Sequence, residues 1–186
     1  MLLILKSVSG GYVMATTIFI SGIHGVGKTT LCNKITNHLG FRHYSCSDLI
    51  KQNSDYVETS KKIDNASRNQ EVLLKAIENI KDKVYLLDGH FCLIDKLENV
   101  IQLDQSVFKS IAPKAIVNIC CETSIIRERL INRDGKALSL TKLNELQSAE
   151  KTVSAEVAET LNIPYFVYTS SEPVDELITL LKQITL

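Results

Sequence analysis

Residues 22–30, GIHGVGKTT, restrict the possible folds of this chain more than any other stretch. Gly22, Gly27, Lys28 and Thr29 satisfy the pattern G-x-x-x-x-G-K-[ST]. A β-branched and aromatic run, TIFISG (17–22), leads into it, and the helical spacing of Leu31, Ile35 and Leu39 in 27–40 leads out. Glycines let the backbone turn until several N–H groups point at one phosphate, and the helix N-terminus adds partial positive charge. The cradle residues are Gly22, His24, Gly25, Val26, Gly27, Lys28, Thr29 and Thr30. Lys28 is expected to reach the β- and γ-phosphates of a nucleoside triphosphate, and the Thr29 hydroxyl to ligate Mg²⁺.

The rest of the chain alternates in the same manner. Strand-like runs are expected at 43–46, 84–89, 115–121 and 164–169. Helices are expected after residue 47, with Ser47 or Asp48 as N-cap, and over 66–83, 123–133, 139–161 and 173–184, the last with Pro173 in its first turn. The third strand, VYLLDG, is apolar almost throughout, as suits a strand buried on both faces. Strands separated by helices imply a parallel sheet with right-handed crossovers and a helical layer on each face. No repeat or linker divides residues 14–186, which read as one domain, whereas 1–13 read as an N-terminal extension or a mis-assigned start.

Composition excludes several classes. With 186 residues the chain suffices for one ordinary core. Lys plus Arg and Asp plus Glu are 21 each, so a general phosphate field for nucleic acid is not expected. No apolar run approaches the roughly 18 residues that span a bilayer. Cys32, Cys46, Cys92, Cys120 and Cys121 form no CxxC pair, and they read as free thiols in a reducing cytoplasm. The apolar start MLLIL would suit an interface between copies, which leaves a homo-oligomer open.

Outside the cradle, Asp88 ends the third strand, where carboxyl ends of a doubly wound sheet face the ligand. It either holds Mg²⁺, directly or through water, or caps the turn that follows. His90 faces an acceptor or is a loop histidine without a role. Arg129 and Arg133 lie four apart on one helix face, placed either for a transferring phosphoryl group or to favour the helix dipole. The loop RDGKALS after them reads as a short lid, 133–140.

GIHGVGKTT, SDLIK, LLDGH, ERLINR and TSSEPV occur in that order over residues 16–186, and together they resemble the P-loop nucleoside-monophosphate kinases, especially archaeal-type adenylate kinases and the nuclear adenylate kinase of ribosome maturation. The resemblance implies a three-layer α/β/α fold, a five-stranded parallel sheet in the order 2-3-1-4-5, and ATP with Mg²⁺ as donor. It makes 47–72 an acceptor-nucleotide arm, with Asp48, Lys51, Arg68 and His90 near the acceptor. Arg129 falls near the donor base and phosphates, Arg133 on the transferring phosphate, and loop 169–173 beside the donor adenine. Lys51 stands where many relatives carry an arginine, and LLDGHF lacks the Phe-Pro-Arg of long adenylate kinases.

The expected function is transfer of the γ-phosphoryl of ATP to a nucleoside monophosphate, AMP or dAMP, with Lys28, Asp88, Arg129 and Arg133 as the catalytic set. Two other readings stay open. One is an ATPase that remodels a protein or RNA partner; the other is a kinase for a small alcohol, with Asp48 as base.

Overall fold

The computed structural model describes residues 15–54 and 65–185. The expected extension 1–13 and residues 55–64 of the acceptor arm lie outside the described residues.

The first strand, β1 (Thr16–Ser21), buries Thr17 to Ser21 and feeds directly into the glycine-rich loop. Helix α1 (Lys28–Leu39) leaves that loop and ends at Gly40, whose left-handed backbone returns its N–H to the Thr36 carbonyl. Strand β2 (Arg42–Ser45) runs without a loop into α2 (Cys46–Asn53), and α3 (Asn65–Glu78) precedes β3 (Val84–Gly89). A short hairpin follows, β4 (Cys92–Ile94) and β5 (Val100–Gln102), then α4 (Gln105–Ile111) and β6 (Ala115–Cys120). The chain closes with α5 (Thr123–Asp134), α6 (Leu140–Leu161), β7 (Tyr165–Thr169) and α7 (Asp175–Thr185).

The main sheet is parallel, in the order β2-β3-β1-β6-β7. Counting its five strands alone, this is the order 2-3-1-4-5; the difference in detail is the separate antiparallel pair β4–β5. Phe19 packs edge-on against Phe91 and Phe108, on the α4 side of the sheet. By strand alternation Ile18 and Ile20 turn to the opposite face, where α1 packs on β1 and β3 and meets α7. Burying each large side chain of this core stabilises the fold by roughly 1.5–3 kcal/mol.

Register places the functional ends together. Ser21 lies opposite Gly89 and Asn118, and Ser45 lies opposite Asp88. Asn118 donates to the Ser21 hydroxyl at 2.9 Å, tying the carboxyl ends of β1 and β6 together beneath the loop.

Four boundaries differ from the sequence reading by more than one residue. Helix α2 begins at Cys46 with extended Ser45 as its N-cap residue, because β2 enters it directly; neither Ser47 nor Asp48 holds that position. Helix α3 stops at Glu78, not 83, since Tyr44 Oη donates to Asp82 Oδ2 at 2.6 Å and holds the following segment against β2. Pro173 precedes α7, whose first turn closes with the Ile178 N–H on the Val174 carbonyl. The lid expected over 133–140 shrinks, because Arg133 belongs to α5 and Leu140 to α6, leaving Gly135 and residues 136–139 between them. The hairpin and α4 are additions that the sequence reading did not contain.

Candidate active site

The cradle is built by backbone that other residues cannot follow. Gly22 has φ 146, and a Cβ there would sit 2.9 Å from both the Ile119 carbonyl oxygen and Val26 Cγ1. Gly25 has φ 80, with a Cβ 3.0 Å from Leu130 Cγ. Val26 is buried beneath the loop, and Thr29 and Thr30 open onto the cleft above α1. Lys28 Nζ donates to the carbonyls of Gly22 (2.7 Å) and Ile23 (3.3 Å), so the ammonium folds back across the cradle. Burial lowers the Lys28 pKa, while Asp88 and Glu150 act to keep it charged. A desolvated cation ringed by a glycine loop is suited to an anionic ligand.

Two imidazoles sit beside it. His24 and His90 have ring centroids 4.3 Å apart, and His90 Nε2 lies 3.4 Å from Lys28 Nζ. Burial first, then the Lys28 charge and His24, pushes the His90 pKa down to about 2. His24 is lowered by burial, Lys28 and Arg133. Both rings are therefore neutral at pH 7, and the positive charge of the site comes from Lys28 and the arginines. Asp88, at the end of β3, lies beside this group, and His43 Nε2–H donates to its Oδ2 at 2.5 Å.

Glu150 is the site residue that sequence reasoning missed. It is 1% exposed on α6, and its carboxylate accepts the backbone N–H of Gly22 (3.1 Å), Phe91 (2.9 Å) and Cys92 (2.7 Å). Burial raises its pKa, against those three N–H groups and Lys28, which favour the carboxylate. The signal was present in the sequence. Glu150 falls at helical spacing among Leu143, Leu146, Val153 and Val157, the only acidic position on an otherwise apolar stripe. His43 was likewise read only as part of a strand.

The two arginines reach the cleft from α5. Arg129 Nη1 donates to the Gly25 and Val26 carbonyls, both at 3.2 Å, which braces the cradle from outside. Arg133 forks onto Asp134, with Nε and Nη2 at 2.8 and 2.6 Å from its two oxygens. Both line one cleft of about 600 Å³ with Lys28, Thr29, Asp88 and His90. Ser45, Ser47 and Asp48 also line it, as do Tyr168 and Ser170 around the end of β7.

The residues expected near an acceptor divide. Asp48 and His90 line the cleft, whereas Lys51 and Arg68 do not. Lys51 is exposed, 3.8 Å from Asp48, and Arg68 Nη2 donates to the Ser54 carbonyl at 3.2 Å. For Mg²⁺ the donor chemistry fits, since the Thr29 hydroxyl and Asp88 carboxylate are the hard oxygens that this ion takes.

Comparison with known proteins agrees with this geometry. The sequence model of the AAA domain family matches residues 21–147, from the end of β1 into α6. A Methanocaldococcus jannaschii protein named "Putative adenylate kinase" is 31% identical over 121 residues, 64% of this chain and 59% of the relative. UMP-CMP kinase 1 of Oryza sativa is 26% identical over 132 residues, 64% of this chain and 51% of the relative. The chain thus spans little more than half the length of these curated relatives. Among solved structures, shikimate kinase from Acinetobacter baumannii superposes with TM-score 0.60 at 16% identity, covering 93% of this chain and 94% of that one, a likeness of fold. The phosphate cradle, the sheet order and the family match agree: the chain belongs to the AAA domain family, with a P-loop kinase fold.

Proposed function

We propose that this chain is a nucleoside-monophosphate kinase, moving the γ-phosphoryl of ATP to a nucleoside monophosphate, with AMP or dAMP favoured. One observation carries the reading: the half-buried Lys28, Asp88, Arg129 and Arg133 line one cleft together with Ser45, Ser47 and Asp48 from the end of β2 and the start of α2. The names of the sequence relatives support it. The small-alcohol and remodelling readings have no comparable support.

In this reading Lys28 and the cradle N–H groups hold the donor phosphates, and Arg129 keeps the loop in its binding shape through the Gly25 and Val26 carbonyls. Thr29 and Asp88 would hold Mg²⁺, which would supply neutralisation of the phosphate charge. Arg133 adds its guanidinium where charge spreads over the transferring group. His24 and His90, being neutral, supply hydrogen bonds and no charge. A monophosphate is already ionised near pH 7, so no general base is needed, and catalysis is positioning plus electrostatics. The free cysteines support a reducing, cytoplasmic setting.

The test is ADP release from ATP–Mg²⁺ alone and with AMP, dAMP, CMP, dCMP, UMP, GMP and dTMP in turn. Strong stimulation by one or two of them supports the reading and names the acceptor. Slow release indifferent to all of them refutes it and favours the remodelling ATPase.

A further inference from the structure

Three side chains from three elements meet under the floor of the cleft: Cys32 on the second turn of α1, His43 on β2 and Asp88 at the end of β3. The Cys32 sulfur, an imidazole nitrogen of His43 and a carboxylate oxygen of Asp88 all lie within 4.8 Å of one another. In a tetrahedral zinc site with bonds of about 2.0–2.3 Å, ligand atoms stand about 3–4 Å apart. Small side-chain adjustments therefore suffice to close the cluster on an ion.

The donor set decides which ion. Sulfur, nitrogen and one carboxylate oxygen suit a borderline-soft metal and not Mg²⁺, which takes oxygen ligands in an octahedron. We propose that Cys32, His43 and Asp88 form a binding site for Zn²⁺, distinct in chemistry from the Mg²⁺ position though sharing Asp88 with it. His43 and Asp88 line the cleft, which supplies an entry path and an open fourth position for water. Cys32 is fully buried and closes the site from below. Binding displaces the Cys32 thiol proton to solvent and moves the His43 proton from Nε2 to Nδ1, freeing Nε2 as a ligand. Thiolate and carboxylate then balance the two charges of the ion, so the occupied site places no net positive charge beside the Lys28 ammonium. One consequence rests on the kinase reading: a zinc ion that takes Asp88 withdraws it from Mg²⁺, so Zn²⁺ inhibits phosphoryl transfer.

The experiment is titration of the full chain with Zn²⁺ against a chromophoric chelator, and with Co²⁺ followed by absorbance. The expected results are one ion per chain, tetrahedral d–d bands and a thiolate-to-cobalt charge-transfer band. Cys32→Ser should remove the charge-transfer band, His43→Gln should weaken Zn²⁺ binding at least about tenfold, and Cys46→Ser should change neither. Circular dichroism checks that each variant is folded, and His43→Gln, altered at the cleft wall, keeps the test decisive if Cys32→Ser unfolds. Absence of stoichiometric binding, binding without the charge-transfer band, a band that survives Cys32→Ser, or unchanged affinity in His43→Gln would each overturn the site. Absence of phosphoryl transfer by the zinc-free wild type with ATP–Mg²⁺ and monophosphates would instead count against the kinase reading and leave the metal titration standing.

Discussion

The Glu150 carboxylate accepts the Gly22 N–H at 3.1 Å while also holding the N–H groups of Phe91 and Cys92. One buried side chain on α6 thus fixes the first glycine of the cradle to the segment that follows β3. Removing it leaves three buried donors without their acceptor, each worth about 1–3 kcal/mol when unsatisfied. Glu150→Ala should lower stability by at least about 3 kcal/mol. Glu150→Gln, which keeps the shape but turns an amide N–H₂ toward a donor, should cost about 1–3 kcal/mol and weaken ATP binding. Urea midpoints and nucleotide titration of both variants measure this; wild-type values in Glu150→Gln would mean the contacts are incidental.

Gly22 is constrained from its other side by the Ile119 carbonyl. A methyl group there meets that backbone oxygen at 2.9 Å, and β6 has little room to retreat from the middle of the sheet. Gly22→Ala should cost about 1–3 kcal/mol and reduce ATP affinity. Denaturant unfolding and ATP binding should show both effects together.

Arg129 and Arg133 should separate by kinetics. Arg129 braces the cradle carbonyls, so Arg129→Ala should raise KM for ATP as well as lower kcat. Among the described residues Arg133 bonds to Asp134 alone, and it lines the cleft, so Arg133→Ala should lower kcat by at least about 10²-fold with a smaller change in KM. Equal effects on both constants in both variants would contradict the division.

The low pKa of His90 makes stability depend on pH. The unfolded chain protonates this imidazole near about 6.5, whereas the folded protein keeps it neutral down to about 2. Over that window the unfolded state binds more protons, so stability falls as pH drops below about 6.5. His90→Gln removes this contribution and should lose less stability than wild type between about pH 7 and about pH 5. Urea unfolding at the two pH values tests it, and equal losses would show that His90 is not the source.

The sequence made the frame readable because its signals are local. GIHGVGKTT is contiguous, and VYLLDG and AIVNICC are apolar runs too short for helices, so the sheet and its cradle could be placed. The β4–β5 hairpin was not legible. Its strands have three residues each, and its turn is set by Asp95, which accepts from the Leu97 and Asn99 N–H groups. Glu150 stands out locally as an acid on the apolar stripe of α6, but its partners lie 128, 59 and 58 residues away, so the stripe alone does not say what the carboxylate binds. Asp88 was found from its strand end, whereas His43 gained meaning only when β2 paired beside β3. Lys51 and Arg68, assigned by resemblance alone, stand outside the cleft.

The most direct test of phosphoryl transfer is to follow the γ-phosphate of labelled ATP in the presence of Mg²⁺ and a panel of monophosphates. Wild-type protein should move the label into a nucleoside diphosphate, and folded Lys28→Ala should transfer none. Label found only as inorganic phosphate, or normal transfer by Lys28→Ala, would contradict it.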